Sequence, residues 1–129
     1  MPDKILLDTN IIIHYIQGES IFVNYLNSKI LNYSVLYIST VVVAELYSKS
    51  NITNEEVELI DEFINKINLI YVDLNIAKTA GFLRQRSKIK TPDALIAATA
   101  ICNGLSLATE NDKDFLNIEE LKLESIPLV

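Results

Sequence analysis

The chain has 129 residues, yet only one cysteine, one histidine, three glycines, three prolines and no tryptophan. Each scarcity removes a class of protein. A lone Cys102 makes no internal disulfide, so a disulfide-stapled scaffold is excluded and a reducing, cytoplasmic setting is the expectation. A lone His14 cannot assemble a zinc site, and any Ser-His-Asp or Cys-His set would have to use this one residue; it reads as a helix-face side chain. So little glycine and proline, beside 50% hydrophobic residues, argues against disorder. No apolar run approaches the roughly 18 residues of a membrane span. The stretch Met1–Asp8 lacks the basic and long apolar regions of a signal peptide. There is no P-loop, no G-x-G-x-x-G and no G-x-S-x-G.

What the chain does have is acid: 17 Asp and Glu against 11 Lys and Arg, a net charge of -6. That balance speaks against coating a nucleic acid by bulk charge, and leaves open a local patch or a metal-mediated contact. The length suits one domain, residues 1–129, able to bury about two-thirds of its unfolded surface.

Short β-type runs alternate with helical ones. Strands are expected at Ile5–Leu7, Val35–Ser39, Leu69–Val72 and Leu105–Ala108, and one more within Leu121–Val129. Helices are expected over Asn10–Gln17 with Gly18 as a stop, Ser20–Leu31, Val41–Lys49 capped by Thr40, and from Asn54 with a buried stripe Val57, Ile60, Ile64 and Ile67. Two more are expected over Asn75–Lys88 and from a Thr91 cap to Asn103-Gly104, with Pro92 in the first turn. Such alternation implies βαβ units and a parallel sheet, whose functional sites lie at the carboxyl ends of the strands.

Acids occur at those ends. Asp8 follows the first strand, where it suits a helix cap as well as a site. Glu45 interrupts the apolar Val41–Leu46. Asp93 opens a helix whose next eight residues carry no charge, so its first turn is expected to lie deep. Thr109-Glu110-Asn111-Asp112-Lys113-Asp114 follows the late strand, and a polar loop is the plain reading for any one of its acids. Gathered on one rim, four carboxylates raise each other's pKa unless a cation is present. Oxygen donors without Cys or His suit Mg²⁺ or Mn²⁺. The chemistry such a site serves is hydrolysis of a phosphodiester without a side-chain nucleophile.

Five of the 11 cations, Lys78, Arg84, Arg86, Lys88 and Lys90, fall within Ile76–Pro92, which holds no acid. The segment reads either as a solvated helix end or as a phosphate-contacting ridge beside Asp93.

These residues resemble the PIN-domain family, and within it the VapC-type toxin ribonucleases. The resemblance is carried by Leu7-Asp8-Thr9-Asn10, by Glu45 in Ser39–Leu46, by Asp93–Ala100 and by Leu107–Phe115, and so spans most of the chain. It implies a Rossmann-like α/β/α sandwich with a central parallel sheet, a Mg²⁺ or Mn²⁺ site and endoribonuclease activity. Asp8, Glu45 and Asp93 match the family's three main acids. Asp114 is carried over as the fourth, with Asp112 as its rival. Thr9, Asn10, Thr109 and Asn111, with Arg84, Arg86, Lys88 and Lys90, become candidates for contact with the RNA or with metal-bound water. The resemblance also implies a homodimer and a small antitoxin partner. A PIN-like module that binds without cutting would lack some of the acids, and none is clearly missing. A receiver-like signalling domain wants paired acids after the first strand, and Asp8 has no acidic neighbour.

Overall fold

The computed structural model describes residues 2–127. Five strands form one parallel sheet: β1 (Lys4–Leu7), β2 (Val35–Ser39), β3 (Asn68–Ile70), β4 (Ser106–Ala108) and β5 (Leu123–Glu124), in the order β3-β2-β1-β4-β5. Six α-helices connect them: α1 (Thr9–Ile16), α2 (Ser20–Leu31), α3 (Thr40–Leu46), α4 (Asn54–Lys66), α5 (Leu74–Arg86) and α6 (Thr91–Asn103). β1 is central, and Ile5, Leu6 and Leu7 are fully buried, as expected of a strand covered on both faces.

The chain steps outward from β1 to β2 and β3, then returns through α5 and α6 to β4 on the other flank of β1. Right-handed crossovers therefore put α1 and α2 on one face and α5 and α6 on the other. The direction of winding reverses between β1 and β4, which is where an open α/β sheet has a crevice. α3 touches both α1 and α6, so it ties the two faces together.

Local sequence explains the helix ends, and corrects several expectations. The cap of α3 is Ser39, whose hydroxyl accepts from the Val41 amide at 3.1 Å; Thr40 instead accepts from the Val72 amide at 3.2 Å, joining β2 to the end of β3. α3 stops at Leu46 rather than Lys49, where the Ser48 hydroxyl donates to the Glu45 carbonyl at 2.8 Å. α4 begins with a capping box, Thr53 with Glu56. α5 starts one residue earlier than expected because Asp73 accepts from the Ile76 amide at 2.8 Å, and ends at Arg86, where Ser87 turns back to the Leu83 carbonyl. Lys90, not Thr91, holds the cap position of α6, with no side-chain cap bond. Gly104 ends α6 with φ of +65°, a left-handed conformation that glycine adopts freely. The tail strand lies at Leu123–Glu124; Leu128 and Val129 of that expectation fall outside the described residues.

From Ala94 onward α6 is buried nearly all round, as its uncharged sequence predicts, and the small side chains of Ala94, Ala97, Ala98 and Ala100 let α5 approach closely; its first turn is shallower than expected, with Thr91 and Pro92 exposed. Ile11 and Ile12 are also fully buried core, while Ile13, Tyr15 and Ile16 pack against it from partly exposed positions.

A cavity of about 660 Å³ lies between α1, α2 and α4 beside the N-terminal ends of β2 and β3. Ile16, Leu26, Ile30, Leu59 and Phe63 give it an apolar wall, with Glu62 and Lys66 also lining it. No described helix is long and apolar enough to cross a membrane.

Candidate active site

Asp8 leaves β1 at the switch point and serves two roles at once. Its Oδ1 accepts from the Thr9 amide at 2.8 Å, capping α1. Its Oδ2 accepts from the Thr109 hydroxyl at 2.8 Å, and its own amide donates to the Ala108 carbonyl at 3.0 Å. One residue is thereby fastened to the ends of both central strands. Only 6% of Asp8 is exposed. The Thr9 hydroxyl, itself buried, donates to Glu45 Oε1 at 2.6 Å. A continuous line of hydrogen bonds thus runs from Thr109 through Asp8 and Thr9 to Glu45.

Asp93 stands half-buried in the first turn of α6, which enters at the same edge of the sheet because it runs down to the start of β4. Asp114 closes a 3₁₀ turn, Asp112–Asp114, anchored by the buried Phe115. Burial is the largest cause raising the Asp8 carboxyl above its ordinary value; Glu45 and Asp114 push the same way, and the bonds from Thr109 and Thr9 pull it back. Burial also leads in raising Asp93, followed by the charges of Asp8, Asp114 and Glu45, with Lys90 opposing. Four carboxylates from four elements therefore feel one another. Asp114, not Asp112, is the loop acid that acts on Asp8 and Asp93.

In their present rotamers, no three such groups among the described residues converge as ligands on one point. The donor set is all carboxylate and hydroxyl oxygen, which fits a hard divalent cation and offers nothing to a soft one.

The other expected residues divide. Lys88 and Lys90 line a cavity of about 290 Å³ that Asp93 and Asp114 also wall. Arg86 is turned to Glu120, with Nη2 to Oε2 at 2.6 Å, and the Arg84 Nε donates to the Ile89 carbonyl at 3.1 Å. Thr109 and Thr9 hold acids rather than stand free. The Asn111 amide donates to the Thr109 hydroxyl at 3.0 Å; Asn10 is half-buried one residue into α1. Sequence reasoning missed Lys113 and Asn117, which line the same small cavity. A cation set between two loop acids was the available signal. His14 is a helix-face side chain of α1, as expected, and its two ring nitrogens face Glu19 and Glu110, the latter at 2.7 Å, on the loop that follows β4.

Comparison with known proteins agrees with this geometry. The PIN domain family model matches residues 5–121. The chain is 32% identical to a Rickettsia felis protein named Ribonuclease VapC1, over 95% of this chain and 96% of that one. It superposes with a TM-score of 0.83 and 30% identity on the crystal structure of VapBC2 from Rickettsia felis bound to a DNA fragment from their promoter, covering 94% of this chain and 97% of that one. A toxin-antitoxin complex from Klebsiella pneumoniae matches with a TM-score of 0.77 and 30% identity, over 90% and 93% of the two chains. With its three-layer parallel fold and its acids at the β1/β4 switch, the chain belongs to the PIN domain family and is of the VapC type.

Proposed function

We propose that the protein is a metal-dependent endoribonuclease and the toxin of a toxin–antitoxin pair. The observation that carries this reading is the gathering of Asp8, Glu45, Asp93 and Asp114 at one crevice, where burial and the neighbouring acids raise the carboxyls of Asp8 and Asp93, a cost that a divalent cation would relieve. Asp8, Glu45, Asp93 and Asp114 would hold Mg²⁺ or Mn²⁺. Bound there, the ion supplies Lewis-acid polarisation of the phosphate and a water of lowered pKa. The chain's own residues do the rest. Thr109 fixes the rotamer of Asp8, and Thr9 fixes that of Glu45, so both acids are oriented before any ligand arrives. Asp112, two residues earlier in the same exposed turn, is a second candidate. Lys88 and Lys90 supply positive charge for the RNA backbone at the flank.

The antitoxin reading rests on the relatives, two of which are VapBC or toxin–antitoxin assemblies, and on the apolar 660 Å³ cavity. Its open apolar wall suits the apolar face of a partner helix. The homodimer remains part of the proposal; exposed Tyr71, Leu74 and Phe82 offer apolar surface for a second copy.

The test is cleavage of a structured RNA with Mg²⁺ or Mn²⁺, comparing wild type with Asp93→Asn, with and without EDTA. Metal-dependent cutting that falls about 100-fold or more in the variant is expected, the kinetic equivalent of a few kcal/mol. Cutting that survives Asp8→Asn, Asp93→Asn and excess chelator overturns it.

A further inference from the structure

The small cavity beside the acids is walled by three lysines that come from two different places in the chain. Lys88 and Lys90 lie between α5 and α6, and Lys113 lies in the 3₁₀ turn after β4. Folding brings them together across a volume of about 290 Å³, over an apolar floor of Ile89 and Ile118, with the Asn117 amide at the wall. Two acids, Asp93 and Asp114, share that wall, whereas Asp8 and Glu45 do not. The cavity therefore adjoins the acid cluster without being its centre.

The lysines are not there to neutralise the acids by pairing. Among the described residues, none of the three has a carboxylate within 4.0 Å, although Lys29, Lys49 and Arg86 each form such a pair elsewhere. Three unpaired cations at one cavity, in a chain of net charge -6, mark a place kept for an anion. Lysine suits this task as a flexible point charge toward phosphate.

We propose that this cavity is a phosphate subsite for the RNA strand. It takes the phosphate neighbouring the scissile one, through Lys88, Lys90 and Lys113, and so sets the flank over which the strand passes. The inference rests on the ribonuclease reading for the identity of the strand, but it makes its own prediction about binding.

The experiment measures affinity for a fluorescein-labelled single-stranded RNA, with Ca²⁺ in the buffer, across a series of salt concentrations. Wild type is compared with Lys113→Ala, Lys88→Ala and Lys113→Arg, and with Lys4→Ala, exposed at the start of β1 on the opposite edge of the sheet, as a control. Each alanine variant in the cavity is expected to weaken binding several-fold and to lower the slope of log K against log salt by about 0.7, the loss of one phosphate contact on a single strand. Lys113→Arg and Lys4→Ala keep the wild-type slope. In the Mn²⁺ cleavage assay the alanine variants raise KM and leave kcat near its wild-type value. A wild type that cuts RNA while Lys113→Ala and Lys88→Ala keep its slope and KM overturns the subsite alone. A wild type that binds RNA with a Lys113-dependent slope but never cuts overturns the ribonuclease reading alone. Absence of RNA binding by the wild type overturns both.

Discussion

The two edges of the sheet are unfinished in opposite ways. At the C-terminal edge, four carboxylates crowd a crevice, and burial with the neighbouring charges raises the proton affinity of Asp8 and Asp93. At the N-terminal edge of β2 and β3, an apolar cavity stays open between α1, α2 and α4. Charge repulsion is relieved by an ion, and exposed apolar surface by another protein. One fold thus offers two surfaces of opposite character, at opposite ends of its strands.

The largest expected effects separate those edges. Asp93→Asn abolishes cleavage and leaves binding of the partner unchanged. Leu59→Arg, at a half-exposed position in the cavity wall, does the reverse: it weakens a copurified partner by about 10-fold to 100-fold, the loss of one buried leucine, and spares cleavage. A pull-down alongside a nuclease assay reads both, and a variant that damages both functions together would break the comparison.

Thr109→Val sharpens the account of the acid edge. It keeps the shape of the side chain and removes the donor to Asp8 Oδ2, leaving a buried acceptor short of one bond. A loss of about 1 to 3 kcal/mol of stability is expected by denaturant titration, with kcat reduced because Asp8 is no longer oriented. A variant as stable and as active as wild type would show that Thr109 does not position the acid.

Asp93 has its carboxyl raised in the fold, so ionising it costs stability. The favourable contribution is fully present below the unfolded value near pH 3.9 and is lost as pH rises through the folded value. Asp93→Asn is therefore expected to melt higher than wild type at pH 7, by about 3 °C for each kcal/mol relieved, and equally at pH 3.5. Added Mg²⁺ should narrow the gap by stabilising wild type more. Calorimetric scans at the two pH values decide it.

The smallest effect is at His14. The Glu19 carboxylate is the largest cause raising its imidazole, with Glu110 adding to it against slight desolvation. With both ring nitrogens facing carboxylates, the imidazolium is the form that satisfies both. Its contribution is fully present below pH 6.5 and fades as pH climbs through the raised value. His14→Gln should lower the melting temperature at pH 6 and leave it unchanged at pH 9. An equal loss at both would assign His14 to packing on Phe22, whose ring lies 4.5 Å from it.

Much of this was legible in the chain itself. The alternation of runs marked the parallel sheet, and the uncharged eight residues after Asp93 marked a buried α6. What sequence order could not carry was which polar side chains meet across elements. Thr9 and Thr109 read as contacts for the RNA or for metal-bound water, yet fold into donors committed to Glu45 and Asp8. Arg86 read as a phosphate contact, yet Glu120, 34 residues on, takes it. Lys113 looked like one charge in a polar loop until the crossover laid it opposite Lys88 and Lys90. Spacing along a helix or strand is local information, and these pairings are set by the return of the chain from β3 to β4.

The bond from Thr109 to Asp8 closes a span of 101 residues. For a chain emerging from a ribosome this has a temporal meaning. Asp8 and Glu45 leave the tunnel early, but Asp93, Thr109 and Asp114 must follow before the crevice exists. A polypeptide that stops short of Asp114 cannot assemble the crevice, so the four acids meet only after that residue has been made.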